Sequence, residues 1–323
     1  MGTVIVLGSL ITDLVARAPR LPLPGESLIG DEFAIFLGGK GFNQAIAAAR
    51  LGASVTLIGR VGTDTFGDAF FPVLSTEGID SAYVTRDLAV GTGVSCLIIA
   101  ADSGQNVIVV LPRANRAVSA EAVETAIHAT LTQRASPGEV GVFLAQCETN
   151  MAALVSGLRV AREAGMTTIL NLAPIPREPL ADDLFALVDI LVANEIEAAS
   201  LAGITVDSSA TAKLAAEGLL VRGPQHVIIT LGAQGAVWST YEIAVRQPSH
   251  QEISAISVTQ LDATAAGDAF CGALAADLAG GMTMEAALRQ ANAAGALTVT
   301  RPGAFPSLPT AAEVEALLDG CDS

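Results

Sequence analysis

The strongest constraint on the fold is an alternation along the chain. Short β-branched runs (Val4–Leu7, Val55–Ile58, Val140–Leu144, Thr167–Leu170, Ile190–Val192 and Val227–Thr230) alternate with longer stretches rich in Ala and Leu, such as Gln44–Leu51, Ala120–Thr132, Met151–Ala164 and Thr211–Leu220. The runs are apolar throughout, which suits strands covered by helices on both faces; a strand with one wet face alternates polar and apolar instead. The pattern predicts βαβ units feeding an α/β fold, a doubly wound and mainly parallel sheet. Two regions lack a crossover helix. Residues 14–36 hold the turn-rich Pro22-Leu23-Pro24-Gly25 and the strand-like Ser27–Phe36, and residues 92–111 read as a hairpin of Gly93–Ala100 and Asn106–Leu111. Both are expected to be extra strands, a small antiparallel β lid inserted within about 14–36 and 92–111. No repeat, low-complexity tract or Pro-rich linker divides the chain, so residues 1–323 are expected to form one domain.

Charge narrows the partners. Thirty-three acidic residues against 17 basic give a formal charge of −16, which argues against nucleic acid or an anionic membrane, since phosphate binding runs on clustered Lys and Arg. With 51% hydrophobic residues the chain has ample apolar material for a packed core. Met-Gly-Thr leads straight into Val4–Leu7 without a basic segment, and reads as a first strand rather than a signal peptide. No apolar run approaches the ~18 residues of a membrane-spanning helix. Cys96, Cys147, Cys271 and Cys321 are scattered singly, with no C-x-x-C, and His128, His226 and His250 form no H-E-x-x-H. They are expected to be mostly buried thiols in a reducing cytoplasm, with no zinc site or disulfide framework. Only two of the basic residues are lysines, Lys40 and Lys213.

Four segments carry chemistry. Asp262-Ala263-Thr264-Ala265-Ala266-Gly267-Asp268 leaves a strand-like stretch, Ile253–Val258, and enters the apolar helix Phe270–Leu278. Small residues at 265–267 let a ligand approach backbone N–H groups that have no intrahelical partner, which makes an anion site. Asp268 in the first turn would stand beside that anion, a poor arrangement unless the carboxylate reacts next to a phosphate. The plainer alternative is an acidic residue complementing the helix dipole. Gly38-Gly39-Lys40-Gly41-Phe42-Asn43-Gln44 opens another helix, yet fits neither a Walker A loop nor G-x-G-x-x-G. Asn194-Glu195-Ile196-Glu197 follows a strand, where an open α/β sheet meets ligand. Asn194 and Glu197 are spaced to share a helix face and reach a hydrated Mg²⁺, or simply to form a helix cap. Thr230-Leu231-Gly232-Ala233-Gln234-Gly235 suits close approach to phosphates or a purine, or a plain turn.

Together with Gly8-Ser9, Asp13 and a closing Thr300-Arg301-Pro302-Gly303-Ala304-Phe305-Pro306-Ser307, these segments occur in the order found in ribokinase-like (PfkB-type) sugar kinases, which the chain resembles over nearly its whole length. The resemblance implies ATP-dependent phosphorylation of a primary hydroxyl, O5 of a pentose, with Asp268 as general base and the N–H groups of Ala265, Ala266 and Gly267 as anion hole. It implies Asp13, Gly39, Lys40, Asn43 and Glu148 for the sugar, and Asn194, Thr230, Gly232, Gly235 and Asn292 for the nucleotide. Glu197 would contact Mg²⁺ through water. Asp262, Thr264, Thr298, Arg301, Gly303 and Ser307 would surround an activating monovalent cation, K⁺, mostly with backbone carbonyls. A homodimer through the lid is also implied.

The chain departs from the ribokinase pattern at three places. Ile11 stands where an Asn bonds the sugar, Phe42 where Ala is usual, and Arg113-Ala114-Asn115-Arg116 where the lid-end segment is Gly-Ala-Asn-Ala. An apolar side chain facing a buried hydroxyl costs roughly 1–3 kcal/mol. Phe42 is expected to alter the pocket or its wall, and the arginines to add two cations near it. These departures point to a substrate other than plain ribose, with fewer hydroxyls, an apolar base or an acidic group. The alternatives are another PfkB-type kinase, for a nucleoside, fructose or keto-deoxy sugar acid, and a silent sugar- or nucleotide-binding regulator.

Overall fold

The computed structural model describes residues 2–134, 141–242 and 247–321. Its main sheet has nine strands: β1 (Thr3–Leu7), β4 (Ser54–Gly62), β5 (Asp80–Asp87), β8 (Val142–Gln146), β9 (Thr167–Asn171), β10 (Ile190–Asn194), β11 (His226–Thr230), β12 (Ala236–Glu242) and β13 (Gln247–Ile253), in the order β13-β12-β11-β10-β9-β8-β1-β4-β5. From β11 to β5 every pairing is parallel; β12 and β13 close one edge as antiparallel strands. Each expected core strand is present, although Val140 lies outside the described residues. The stretch 253–258 does not continue as a strand: β13 ends at Ile253 and irregular backbone leads on to the next helix. Among the described residues, no helix is long and apolar enough to cross a membrane.

Eight helices of eight residues or more cover the sheet among the described residues: α1 (Lys40–Arg50), α2 (Ala120–Arg134), α3 (Met151–Glu163), α4 (Glu195–Ala202), α5 (Ser209–Leu220), α6 (Ala266–Ala279), α7 (Met284–Thr298) and α8 (Ala311–Cys321). The alternating side chains of β1 show why both faces had to be apolar. Val4 and Val6 enter one core with residues of α1, α6 and α7, while Ile5 and Leu7 enter the other with α2, α3 and α5. The chain lays β1, β4 and β5 outward in one direction, then returns to place β8 on the other side of β1. The strand order therefore reverses between β1 and β8, and their carboxyl ends flank the crevice where such sheets hold ligands.

A second sheet of four strands, β2 (Ile11–Ala18), β3 (Glu32–Gly38), β6 (Gly93–Ala100) and β7 (Asn106–Leu111), has the order β3-β2-β6-β7. The fold is thus the doubly wound sheet with a small lid. One pairing differs from a purely antiparallel lid: β2 and β6 are parallel, between antiparallel β2–β3 and β6–β7 pairs. Both central strands leave the body in the same direction, and the outer two return. Asn115, just beyond β7, is fully buried at the lid's root. Its Oδ1 accepts from the N–H of Leu10 at 2.9 Å and its Nδ2 donates to the carbonyls of Leu10 (2.9 Å) and Pro112 (3.0 Å).

Two expectations are corrected here, those for Phe42 and for the cysteines. Phe42 lines no pocket: it is fully buried on the core side of α1, edge-on to Phe70 (centroids 4.9 Å) and Phe305 (5.5 Å). Arg113 and Arg116 are both exposed; the Arg113 guanidinium donates to the Thr92 carbonyl at 3.2 Å and lies near Asp64, at the lid's root. The cysteines are not mostly buried. Only Cys271 is, on the inner face of α6, whereas Cys96 on a lid strand and Cys321 at the end of α8 are exposed and Cys147 is half-buried. If Phe42 is core and not pocket, Phe42→Ala will lower unfolding stability by about 3–5 kcal/mol in denaturant titration. Unchanged stability with an altered sugar preference would contradict this placement.

Candidate active site

Close packing assembles the site before any charge acts. A Cβ on Gly41 would lie 2.3 Å from the Cα of Gly8, so the first turn of α1 presses on the turn leaving β1. On the other side, a Cβ on Gly272 of α6 would lie 2.7 Å from the Gln44 carbonyl and 2.5 Å from the Ala47 side chain. Bulkier residues at either contact would part these elements. Their absence puts the N-termini of α1 and α6 side by side above the switch point.

The α6 end carries Asp268, 7% exposed. Asn43 Nδ2 donates to its Oδ2 and Gln44 Nε2 to its Oδ1, both at 2.9 Å. Burial pushes the Asp268 carboxyl above the usual range, while Lys40, Asn43 and Gln44 favour its charge. The helix is entered through Ala265 at φ 63°, a left-handed conformation that costs a non-glycine residue about 1–2 kcal/mol. That turn starts α6 abruptly and leaves the Gly267 N–H without an intrahelical acceptor. The Ala266 N–H reaches the Ala263 carbonyl at 3.3 Å, the long end of the hydrogen-bond range.

Lys40 begins α1. Burial works against its charge but is outweighed by Asp268, Glu148 and Glu197, which hold the ammonium above the ordinary lysine value. Glu148 follows β8, across the switch point from Ser9. Its Oε2 accepts from the Lys40 backbone N–H at 3.1 Å and, in a short bond, from the Ser9 hydroxyl. Burial raises Glu148, opposed by Lys40 and these bonds. Glu197 is raised by burial as well, opposed by the Asn194 N–H and Lys40. Asp13 sits half-buried on β2 in a short bond from the Ser95 hydroxyl; burial raises it, against Ser95. Gly39, at φ 97°, makes the turn between the lid and α1.

The nucleotide-type residues are tied together at the other end of the crevice. Asn194 caps α4 in a reciprocal box with Glu197: Asn194 Oδ1 accepts the Glu197 N–H, and Glu197 Oε2 accepts the Asn194 N–H, each at 2.9 Å. The cap reading is therefore realised, and it fixes the Glu197 carboxylate. Thr230 lies beside Asn194 in the β10–β11 register. Gly232 and Gly235, at φ 51° and 90°, form the turn into β12, and Gly235 packs against the backbone of Ile253 and Ala255. Asn292 donates to the neighbouring Ser254 carbonyl at 2.9 Å. Asn292 and Ser254 line an open cavity of about 690 Å³ together with Glu252, Glu285, Glu315 and Asp319; Asn194, Thr230, Gly232 and Gly235 do not line it.

Among the described residues, no three His, Cys, Asp or Glu side chains gather as a metal site. A divalent ion would find one fixed carboxylate, Glu197, which suits Mg²⁺ carried by substrate phosphates and not a protein cage. The residues expected around a monovalent cation fall on two segments: Asp262 and Thr264 ahead of α6, and Thr298, Arg301, Gly303 and Ser307 at and beyond the end of α7. Asp262 accepts from Thr264 N (2.9 Å), Thr264 Oγ1 (2.6 Å) and Gly303 N (2.8 Å). Burial would raise Asp262, yet these bonds hold it below the usual range. The Thr298 and Ser307 hydroxyls donate to local carbonyls and Arg301 pairs with Glu313, so backbone carbonyls are the donors left for a cation.

Sequence reasoning quoted Ser9 and Gln44 within motifs without giving them a role, and passed over Gln146, Asn171 and Ser95. A usable signal existed for two: Gln146 and Asn171 each end a buried strand with an amide at the sheet's ligand edge.

The chain matches the family described as pfkB family carbohydrate kinase over residues 1–311. It is 39% identical to a ribokinase of Mus musculus, over 95% of this chain and 92% of that protein, and 32% identical to a deoxyribokinase of Salmonella typhi, over 94% and 95%. The structure of Arabidopsis thaliana ribokinase complexed with ribose and ATP superposes with a TM-score of 0.84 at 28% identity, covering 98% of each chain.

One cation serving three buried carboxylates gives a pH-dependent expectation. Carboxylates raised in the folded state lose stabilisation as pH climbs through their folded pKa values, and the Lys40 charge limits that loss. Lys40→Met should therefore lower Tm more at pH 8 than at pH 5, where the carboxylates take up protons. An equal drop at both pH values would show that Lys40 does not compensate them.

Proposed function

The chain belongs to the pfkB family of carbohydrate kinases, and on that basis we propose that it transfers the γ-phosphoryl group of ATP to the primary hydroxyl of a pentose or related furanose, O5 in ribose. One observation carries this reading: a buried carboxylate, Asp268, held by two amides at a helix N-terminus beside a half-buried lysine. Such a group is placed to take a hydroxyl proton next to bound phosphate.

In this reading Asp13, Gly39, Lys40, Asn43 and Glu148 hold the sugar; Asn43 keeps a buried Oδ1 without a partner for it. Asp268 accepts the hydroxyl proton as the sugar oxygen bonds to the γ-phosphorus and the bond to the ADP oxygen breaks. The N–H groups of Ala265, Ala266 and Gly267 face the charge on the transferring group, and Ala266 exchanges its long bond to Ala263 for a charge-assisted one. Asn194, Thr230, Gly232, Gly235 and Asn292 seat the nucleotide. Glu197 would hold Mg²⁺ through water, an ion that supplies charge neutralisation at the phosphates. Carbonyls of the two segments holding Asp262 and Thr264, and Thr298, Arg301, Gly303 and Ser307, would receive K⁺. The enzyme would work in the cytoplasm as a homodimer through the lid, whose outer strands expose Phe33, Ile35 and Val107 to Leu111.

Of the three departures, Ile11 carries the argument about specificity. It is 3% exposed on the lid strand carrying Asp13, two residues before it, so both side chains leave the same face. The substrate reading is therefore a pentose kinase with weakened selection at one hydroxyl, 2-deoxy sugars included. A coupled ADP-release assay over ribose, 2-deoxyribose, fructose, sugar acids and nucleosides, with and without K⁺, tests this. Asp268→Asn should lose about 10²–10⁴-fold in kcat. Ile11→Asn should raise the ribose preference over 2-deoxyribose by roughly three- to tenfold. Turnover of none of these compounds would leave a binding protein, and full activity of Asp268→Asn would remove the base.

A further inference from the structure

Beneath Asp268 lies a set of buried amides that the proposed chemistry has not used. Gln44, on α1, and Gln146, at the end of β8, are fully buried, and Asn171, at the end of β9, is 8% exposed. Gln44 Nε2 donates both to Asp268 Oδ1 (2.9 Å) and to Asn171 Oδ1 (3.0 Å), while Gln44 Oε1 accepts from Gln146 Nε2 (2.7 Å). Asn171 Nδ2 donates to the Val192 carbonyl on β10 at 3.3 Å.

The order of these bonds has a direction. A backbone carbonyl only accepts, so Val192 obliges Asn171 to present its amide nitrogen there and its oxygen toward Gln44. That oxygen obliges Gln44 to turn its NH₂ group toward Asn171 and Asp268, and Gln146 fills the oxygen on the other side. The main sheet thus dictates which end of the Gln44 amide meets the carboxylate. Burying so many polar groups between two apolar cores is costly unless they are mutually satisfied, and Gln146 Oε1 still lacks a partner. Stability alone does not call for such a network.

We infer that Gln44 is a positioning residue for phosphoryl transfer: it fixes the plane of the Asp268 carboxylate by donating to its Oδ1, with its own orientation set through Asn171 by the sheet. This rests on the reading of Asp268 as the base. The direct partner Asn43 touches the other oxygen, so without Gln44 the carboxylate would pivot about a single bond. Removing a donor that favours the ionised form also moves proton release to higher pH.

Gln44→Met keeps the size and removes both donors. The expected result is a kcat lowered by about 10–100-fold, with KM for ribose and ATP within about threefold, and an acid limb of the kcat/KM profile displaced to higher pH. In the Asp268→Asn background, Gln44→Met should lower kcat no further. Should Gln44→Met fail to fold, Asn171→Ala, which frees the Gln44 amide to turn over, should displace the acid limb in the same direction. An acid limb at the wild-type position in the variant that folds, or a change confined to KM, would overturn the positioning role. Full activity of Asp268→Asn would instead overturn the base itself, whatever Gln44 does.

Discussion

Helix α1 lies closer to its neighbours than side chains permit, and most of the site follows from that. Gly41 against Gly8, and Gly272 against Gln44 and Ala47, let the helix sink between the first strand and α6. Residues more than 220 positions apart in sequence then meet at hydrogen-bond distance, Asn43 and Gln44 on one helix and Asp268 on the other. The far side of α1 is bound just as firmly. Phe42 packs on Phe305, and the Arg50 guanidinium donates to the carbonyls of Phe305 (3.1 Å) and Leu308 (2.6 Å) while pairing with Glu77. One rigid element therefore joins the base, the lid turn and the loop proposed for a monovalent cation.

Electrostatics completes what packing begins. A chain with a formal charge of −16 spends one of its two lysines at the most acidic point of its interior. Lys40 answers three carboxylates at once, each raised by burial and each drawn back by the ammonium. Anionic phosphates would meet this lysine and two helix ends, so the negative charge of the whole surface has little bearing on nucleotide binding.

Much of this was legible in the sequence, and the losses are instructive. Strands buried on both faces announce themselves as unbroken apolar runs, and the small-residue turn before Asp268 announces a helix end. Phe42 misled because a glycine-rich segment places one residue on the ligand side and the next in the core, a helical phase that composition alone does not reveal. Gln44, Gln146 and Asn171 were invisible as a group: their meaning comes from three strands and a helix meeting, and no local spacing encodes that. The parallel pair in the lid has the same origin, a direction imposed by two exits from one body.

Asn115 shows what holding a lid by a side chain entails. The N–H and the carbonyl of Leu10 are both consumed by one amide, so the backbone at this crossing joins neither sheet's ladder there. The main sheet and the lid are separate ladders stitched by side chains at the lid's root, Asn115 on Leu10 and Thr92 on Gly62 and Asp64. A rocking of the lid strains these few bonds instead of a row of them along a strand. Sequence changes that reshape the lid are thereby insulated from the register of the nine-stranded sheet, and the lid is free to diverge with its substrate while the phosphate-handling floor stays fixed.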